Sequence, residues 1–116
     1  MTATAVRGTT YYAAQNDRRP DLIMVLKDIN GAVDLTASTA VEVFVDFPSA
    51  IKKYTATKDP DQITNKGRIS YSYAASDIPD AGEHRMRTRV TWAAGVYETF
   101  PNNTYDVLSV TEGFFV

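Results

Sequence analysis

The stretch EHRMRTRVTW, residues 83–92, places Arg85, Arg87 and Arg89 on every second position, with His84, Met86, Thr88, Val90 and Trp92 on the alternate phase. A period of two is the period of a β-strand, whose successive side chains point to opposite faces. The stretch therefore predicts a long strand with one wet, basic face and one face turned to a core. The same alternation recurs elsewhere. Val41, Val43, Val45 and Phe47 alternate with Glu42, Phe44 and Asp46, and Ile69, Tyr71 and Tyr73 alternate with Arg68, Ser70 and Ser72. Helical periodicity is nearly absent.

Turn residues separate these runs. Asn30-Gly31 is a strong hairpin signal. FPSA, KDPDQITNKG (58–67), SDIPDAG (76–82) and AAG (93–95) read as loops or turns, and FPNN (100–103) interrupts the last long strand, because Pro101 cannot donate to a ladder. Strands are expected at about 5–13, 21–28, 40–47, 51–57, 67–74, 83–93, 96–100 and 104–111. Seven to eight short strands at this spacing predict an all-β antiparallel sandwich, with a small barrel as the structural alternative.

The totals set further bounds. The chain has 116 residues, one domain's worth, and no cysteine, which excludes a disulfide framework, a thiolate zinc site and a cysteine nucleophile. Twelve Lys and Arg against fourteen Asp and Glu give a net charge of −2, without the basic excess usual in nucleic-acid binders. No run approaches the roughly 18 apolar residues of a membrane span, and the start lacks the layout of a secretory signal. A soluble, unprocessed single domain over 1–116 is expected.

Catalytic and metal motifs are missing. His84 is the one histidine, it lies on the core phase of its strand, and it reads as a hydrogen-bonded core residue. No G-x-S-x-G elbow, P-loop or dinucleotide fingerprint is present. Asp59, Asp61 and Asn65 share a loop, but their spacing does not match the calcium loop. The expectation is a non-enzyme with no cofactor and no metal.

The arginine stripe has three readings. Steps of roughly 7 Å resemble the phosphate spacing of a nucleic-acid strand. Yet stacking aromatics are not found on that phase of the stretch, and Glu42, Asp46 and Glu98 are expected nearby as neutralising partners. A solvated, acid-balanced face comes first, a protein interface second and nucleic acid last. Apolar residues on the wet phase mark an interface more directly. Ile23 and Val25 oppose the buried Leu22, Met24 and Leu26, Phe44 sits between two acids, and Phe114 and Phe115 occupy an apolar tail. The candidate interface is thus Ile23, Val25, Phe44, Arg85, Arg87, Arg89, Phe114 and Phe115.

Three stretches carry a family likeness: PDLIMVLKDINGAVDLTAS (20–38), GRISYSYAASDIPDAGEHRMR (67–87) and GVYETFPNNTYDVLSV (95–110). With their strand, aspartate corner, alanine-glycine step and threonine-phenylalanine-proline break, they resemble the immunoglobulin-like N-terminal domain of tailed-phage upper baseplate proteins and related phage tail, fibre and head domains. The resemblance spans about 20–110. It implies an immunoglobulin-like sandwich with a structural corner at Asp77, Gly82 and His84. His84 stands where the family commonly has the tyrosine of a tyrosine corner. It further implies a stand-alone virion structural protein, made in the host cytoplasm. Its partners would be other virion proteins, in multiple copies on a symmetric particle, with no membrane partner and nucleic acid unlikely. Residues 1–13 and 112–116 would be contact arms. The alternatives are a capsid decoration protein, or a module for host-surface carbohydrate or another polyanion, with the arginines, Tyr97 and Trp92 as its site.

Overall fold

The computed structural model describes residues 8–102 and 104–113, and every regular element among them is a β-strand. In chain order these are β1 (Thr10–Ala14), β2 (Leu22–Val25), β3 (Lys27–Asp28), β4 (Gly31–Ala32), β5 (Ala40–Asp46), β6 (Ile51–Lys58), β7 (Arg68–Tyr71), β8 (Gly82–Ala93), β9 (Val96–Phe100) and β10 (Asp106–Thr111). The all-β expectation holds, but the strands among the described residues number ten rather than seven to eight. One reason is local. The Asn30-Gly31 turn, with Gly31 at φ +106°, folds β3 back onto β4 as a separate two-stranded hairpin, so the run expected at 21–28 divides.

The strands join in the order β1-β10-β8-β5-β6-β7-β2, with β9 added on β8. β8 is the centre. Its one edge pairs with β5 from Arg85 to Thr91, and its other edge is shared. β10 takes the first half of that edge and β9 the second, so the two are successive halves of one course interrupted at Pro101. Every pairing is antiparallel except β1 with β10, which is parallel. The sheet is thus mostly antiparallel, as expected, with one parallel pair.

β6 turns the corner. Its first six residues pair with β5, whereas Thr57 and Lys58 pair with Ser70 and Ile69 of β7. A strand that changes partners in this way bends the sheet around its core. The two ends of the path then approach each other. Thr9 and Tyr11 near β1 and Val25 and Leu26 near β2 line one small cavity of about 40 Å³. The sheet is therefore nearly a closed barrel.

The core fills from the phase read in the sequence. Leu22, Met24, Val41, Val43, Val45, Ile69, Met86, Val90, Leu108 and Val110 are all buried. Each large side chain removed from water in this way contributes roughly 1.5–3 kcal/mol. Thr88 is fully buried among them, with its hydroxyl 4.0 Å from the Met24 sulfur.

Candidate functional site

Two ties fix the entry to β8. His84 is buried, packs on Phe47 with ring centroids 4.6 Å apart, and shares a 2.8 Å hydrogen bond between Nε2 and the Asp80 carbonyl. That bond reaches back a few residues along the chain, as the hydroxyl of a tyrosine corner does. Gly82, the first residue of β8, sits at φ +110°, a conformation costly for a residue with a Cβ. The Asp80 carboxylate accepts from both the amide and the hydroxyl of Ser49, and these bonds hold it below the usual carboxylate range. Asp77 serves a neighbouring cluster. Its carboxylate accepts from the Tyr71 hydroxyl at 2.6 Å and the Ala74 amide at 2.7 Å, and its carbonyl accepts from the Tyr54 hydroxyl. Tyr54, Tyr71 and Tyr73 pack ring on ring around it. Burial, more than any other cause, pushes Tyr71 and Tyr73 up to about 12, so these hydroxyls stay protonated.

With β8 anchored, register decides what surrounds the arginines. Asp46, Phe44 and Glu42 of β5 stand opposite Arg85, Arg87 and Arg89. Ile51, Lys53 and Thr55 of β6 stand beyond them. Among the described residues Glu42 is the acid that forms ion pairs with the stripe. It pairs with Arg89 at 2.9 Å and Lys53 at 3.3 Å, and the hydrogen bond from Arg89 is the main reason its carboxyl lies below the ordinary range. Among the described residues neither Arg85 nor Arg87 forms an ion pair. Arg87 instead donates to the carbonyls of Pro101 and Asn102, both at 3.1 Å. Glu98, expected beside the arginines, stands opposite Val90 on the other phase and accepts from the Trp92 indole at 2.9 Å. This corrects the expectation of three acid partners.

The face also carries aromatics that the stretch 83–92 could not reveal. The Arg89 guanidinium lies 4.7 Å from the Tyr97 ring centroid and 5.4 Å from that of Phe44, and Arg85 lies 5.1 Å from that of Tyr105. Their rings arrive from β9, β5 and the segment before β10. At the Arg85 end of this face lies a groove of about 620 Å³, lined by Phe44, Asp46, Ile51, Arg85, Arg87 and Tyr105 among others. Ile51 and Tyr105 were missed from sequence. Ile51 is 70% exposed and sits at the start of β6, where only the pairing with Asp46 shows which face it joins.

The remaining candidates do not join this surface. Ile23 and Val25 are exposed, but on β2, at the far end of the strand path. Trp92 is half-buried against the core. Phe114 and Phe115 lie outside the described residues, as do 1–7 of the expected N-terminal arm. In the 58–67 loop, Asp59 and Asp61 are engaged with the backbone of their own turn, and no His, Cys, Asp and Glu group able to hold a metal occurs among the described residues. No protein-family model matches the chain, and no curated protein matches it.

Proposed function

We propose that this chain is a non-enzymatic assembly module of a phage virion, an immunoglobulin-like domain that docks onto other virion proteins through the outer face of β5, β6 and β8. The observation that carries the docking reading is the groove. Arg85 and Arg87, which form no ion pair among the described residues, line it together with Phe44, Ile51 and Tyr105. Apolar walls favour burial, and unpaired cations select a partner of complementary charge. The virion assignment rests on the resemblance of 20–38, 67–87 and 95–110. The tie from His84 to Asp80 and the two-stage course of β9 and β10 along β8 suit an immunoglobulin-like sandwich. The test is whether the protein co-purifies with intact particles. Arg85→Glu is expected to lower its occupancy on particles at least tenfold while leaving the fold intact. Unchanged occupancy would remove this face from the proposal.

A second reading, a module for a polyanion or a host-surface carbohydrate, is favoured by the alternation of guanidiniums and rings. Against it, Arg89 is already neutralised by Glu42, and the Phe44, Tyr97 and Tyr105 rings already carry the protein's own guanidiniums. A steep fall of binding to DNA or glycan with added salt supports this second reading.

A further inference from the structure

We propose that the groove receives the acidic turn 59–63 of a second copy of this chain, so that copies associate head to tail. The inference rests on the reading of this face as a docking surface and names its partner. The turn is built as a rigid knob. Gln62 is buried beneath it, its side-chain oxygen accepting from the Leu35 and Gly67 amides at 3.1 and 2.9 Å, its side-chain nitrogen donating to the Asp59 carbonyl at 2.8 Å. Asp61 accepts from the Ile63 and Thr64 amides at 3.2 and 3.0 Å. The outcome is that Ile63 stands 96% exposed on a turn that is already ordered. An apolar side chain held out by its own scaffold loses little further entropy on docking.

The two surfaces complement each other. The knob offers one branched apolar side chain beside two carboxylates, Asp59 and Asp61. The groove offers apolar walls from Phe44, Ile51 and Tyr105 beside the guanidiniums of Arg85 and Arg87. Asp46 at its rim offsets one of these, leaving the groove one positive charge in excess. β6 also sets their placement. The groove lies at its first residue, Ile51, and the knob follows its last, Lys58. Eight extended residues separate the two by roughly 23 Å. A copy whose groove and knob engage two different neighbours makes heterologous contacts, which propagate into a ring or a row instead of stopping at a symmetric pair.

Sedimentation at low salt, from micromolar to about millimolar protein, tests this. The mean mass is expected to rise with concentration above the 12.8 kDa of one chain. Ile63→Asp and Arg85→Glu are each expected to hold the protein at monomer mass. Ile51→Asp provides a second groove variant should Arg85→Glu not fold. Mixing the knob variant with the groove variant is the decisive arm. One retains a working groove and the other a working knob, so the mixture is expected to form a dimer that grows no further. A parent chain that stays monomeric throughout, an Ile63→Asp variant that associates like the parent, or a mixture that remains monomeric overturns the inference. A monomeric parent whose groove variants still fall off particles overturns the self-contact and leaves the docking reading standing.

Discussion

Glu42 and Asp106 are two carboxylates under opposite electrostatic pressure. Glu42 receives Arg89 and Lys53, and its carboxyl is lowered chiefly by the hydrogen bond from Arg89. A lowered folded-state value means that its stabilisation is present above the unfolded pKa, near 4.3, and is lost as pH falls through the folded value. Glu42→Gln is expected to cost about 1 kcal/mol at pH 7, since Arg89 loses its carboxylate. In denaturant titrations that cost should shrink as pH falls below the unfolded value and vanish only once pH lies below the lowered folded one. Asp106 is buried, and burial raises its carboxyl despite the 2.8 Å hydrogen bond it accepts from the Thr9 amide. Its stabilisation is complete below the unfolded value, near 3.9, and is lost as pH rises through the folded one. Asp106→Asn keeps an acceptor for Thr9 and removes the charge. Its Tm is expected to exceed the parent's at pH 7, with the gap closing toward pH 4.

At the scale of elements, β1 depends on a close approach. A Cβ placed on Gly8 would lie 2.2 Å from the Tyr105 carbonyl oxygen, too near for any side chain. Gly8→Ala is expected to push the start of β1 away from β10, where the Val107 amide donates to the Thr9 carbonyl at 3.0 Å. Hydrogen exchange at Val107 reads this directly, and faster exchange there than at Val90 in the middle of β8 is the expected result. None of this could be seen in the sequence. TYYAA, residues 10–14, has no alternation, so it shows neither a partner nor a direction, whereas β5 and β8 were legible because one side of each is core and the other is wet. Lys58 was equally hidden. Its ammonium donates to the carbonyls of Leu35, Thr36 and Ser38 and pins the loop before β5, an arrangement set by the three-dimensional course of β6.

For the molecule as a whole, the same contrast holds at the candidate site. The arginine spacing and Phe44 could be read along the chain, because they depend on the period of single strands. Some of their company could be read as well, since Glu42 was expected as a partner and Tyr97 was grouped with them, but its geometry and the rest could not. Tyr97, Tyr105 and Ile51 meet the arginines through register and through the course of neighbouring segments, and Glu98 is lost to the other face by the same rule. A one-residue shift in register would exchange those assignments. The interior follows the period of two closely enough that the sequence located it, while the closure of the path at β1 and β2 emerged only from the assembled sheet.

The parallel pairing of β1 with β10 has a mechanical consequence. Thr10 lies beside Val107 and Ala14 beside Thr111, so the chain enters at one end of the pair and leaves at the other. Tension applied to the two termini therefore slides the strands lengthwise along each other. All five register positions resist together, whereas an antiparallel pair pulled from one end would unzip rung by rung. A domain threaded in this way carries pulling force through β1 and β10, and because β10 is also paired with β8, the load passes on into the centre of the sheet.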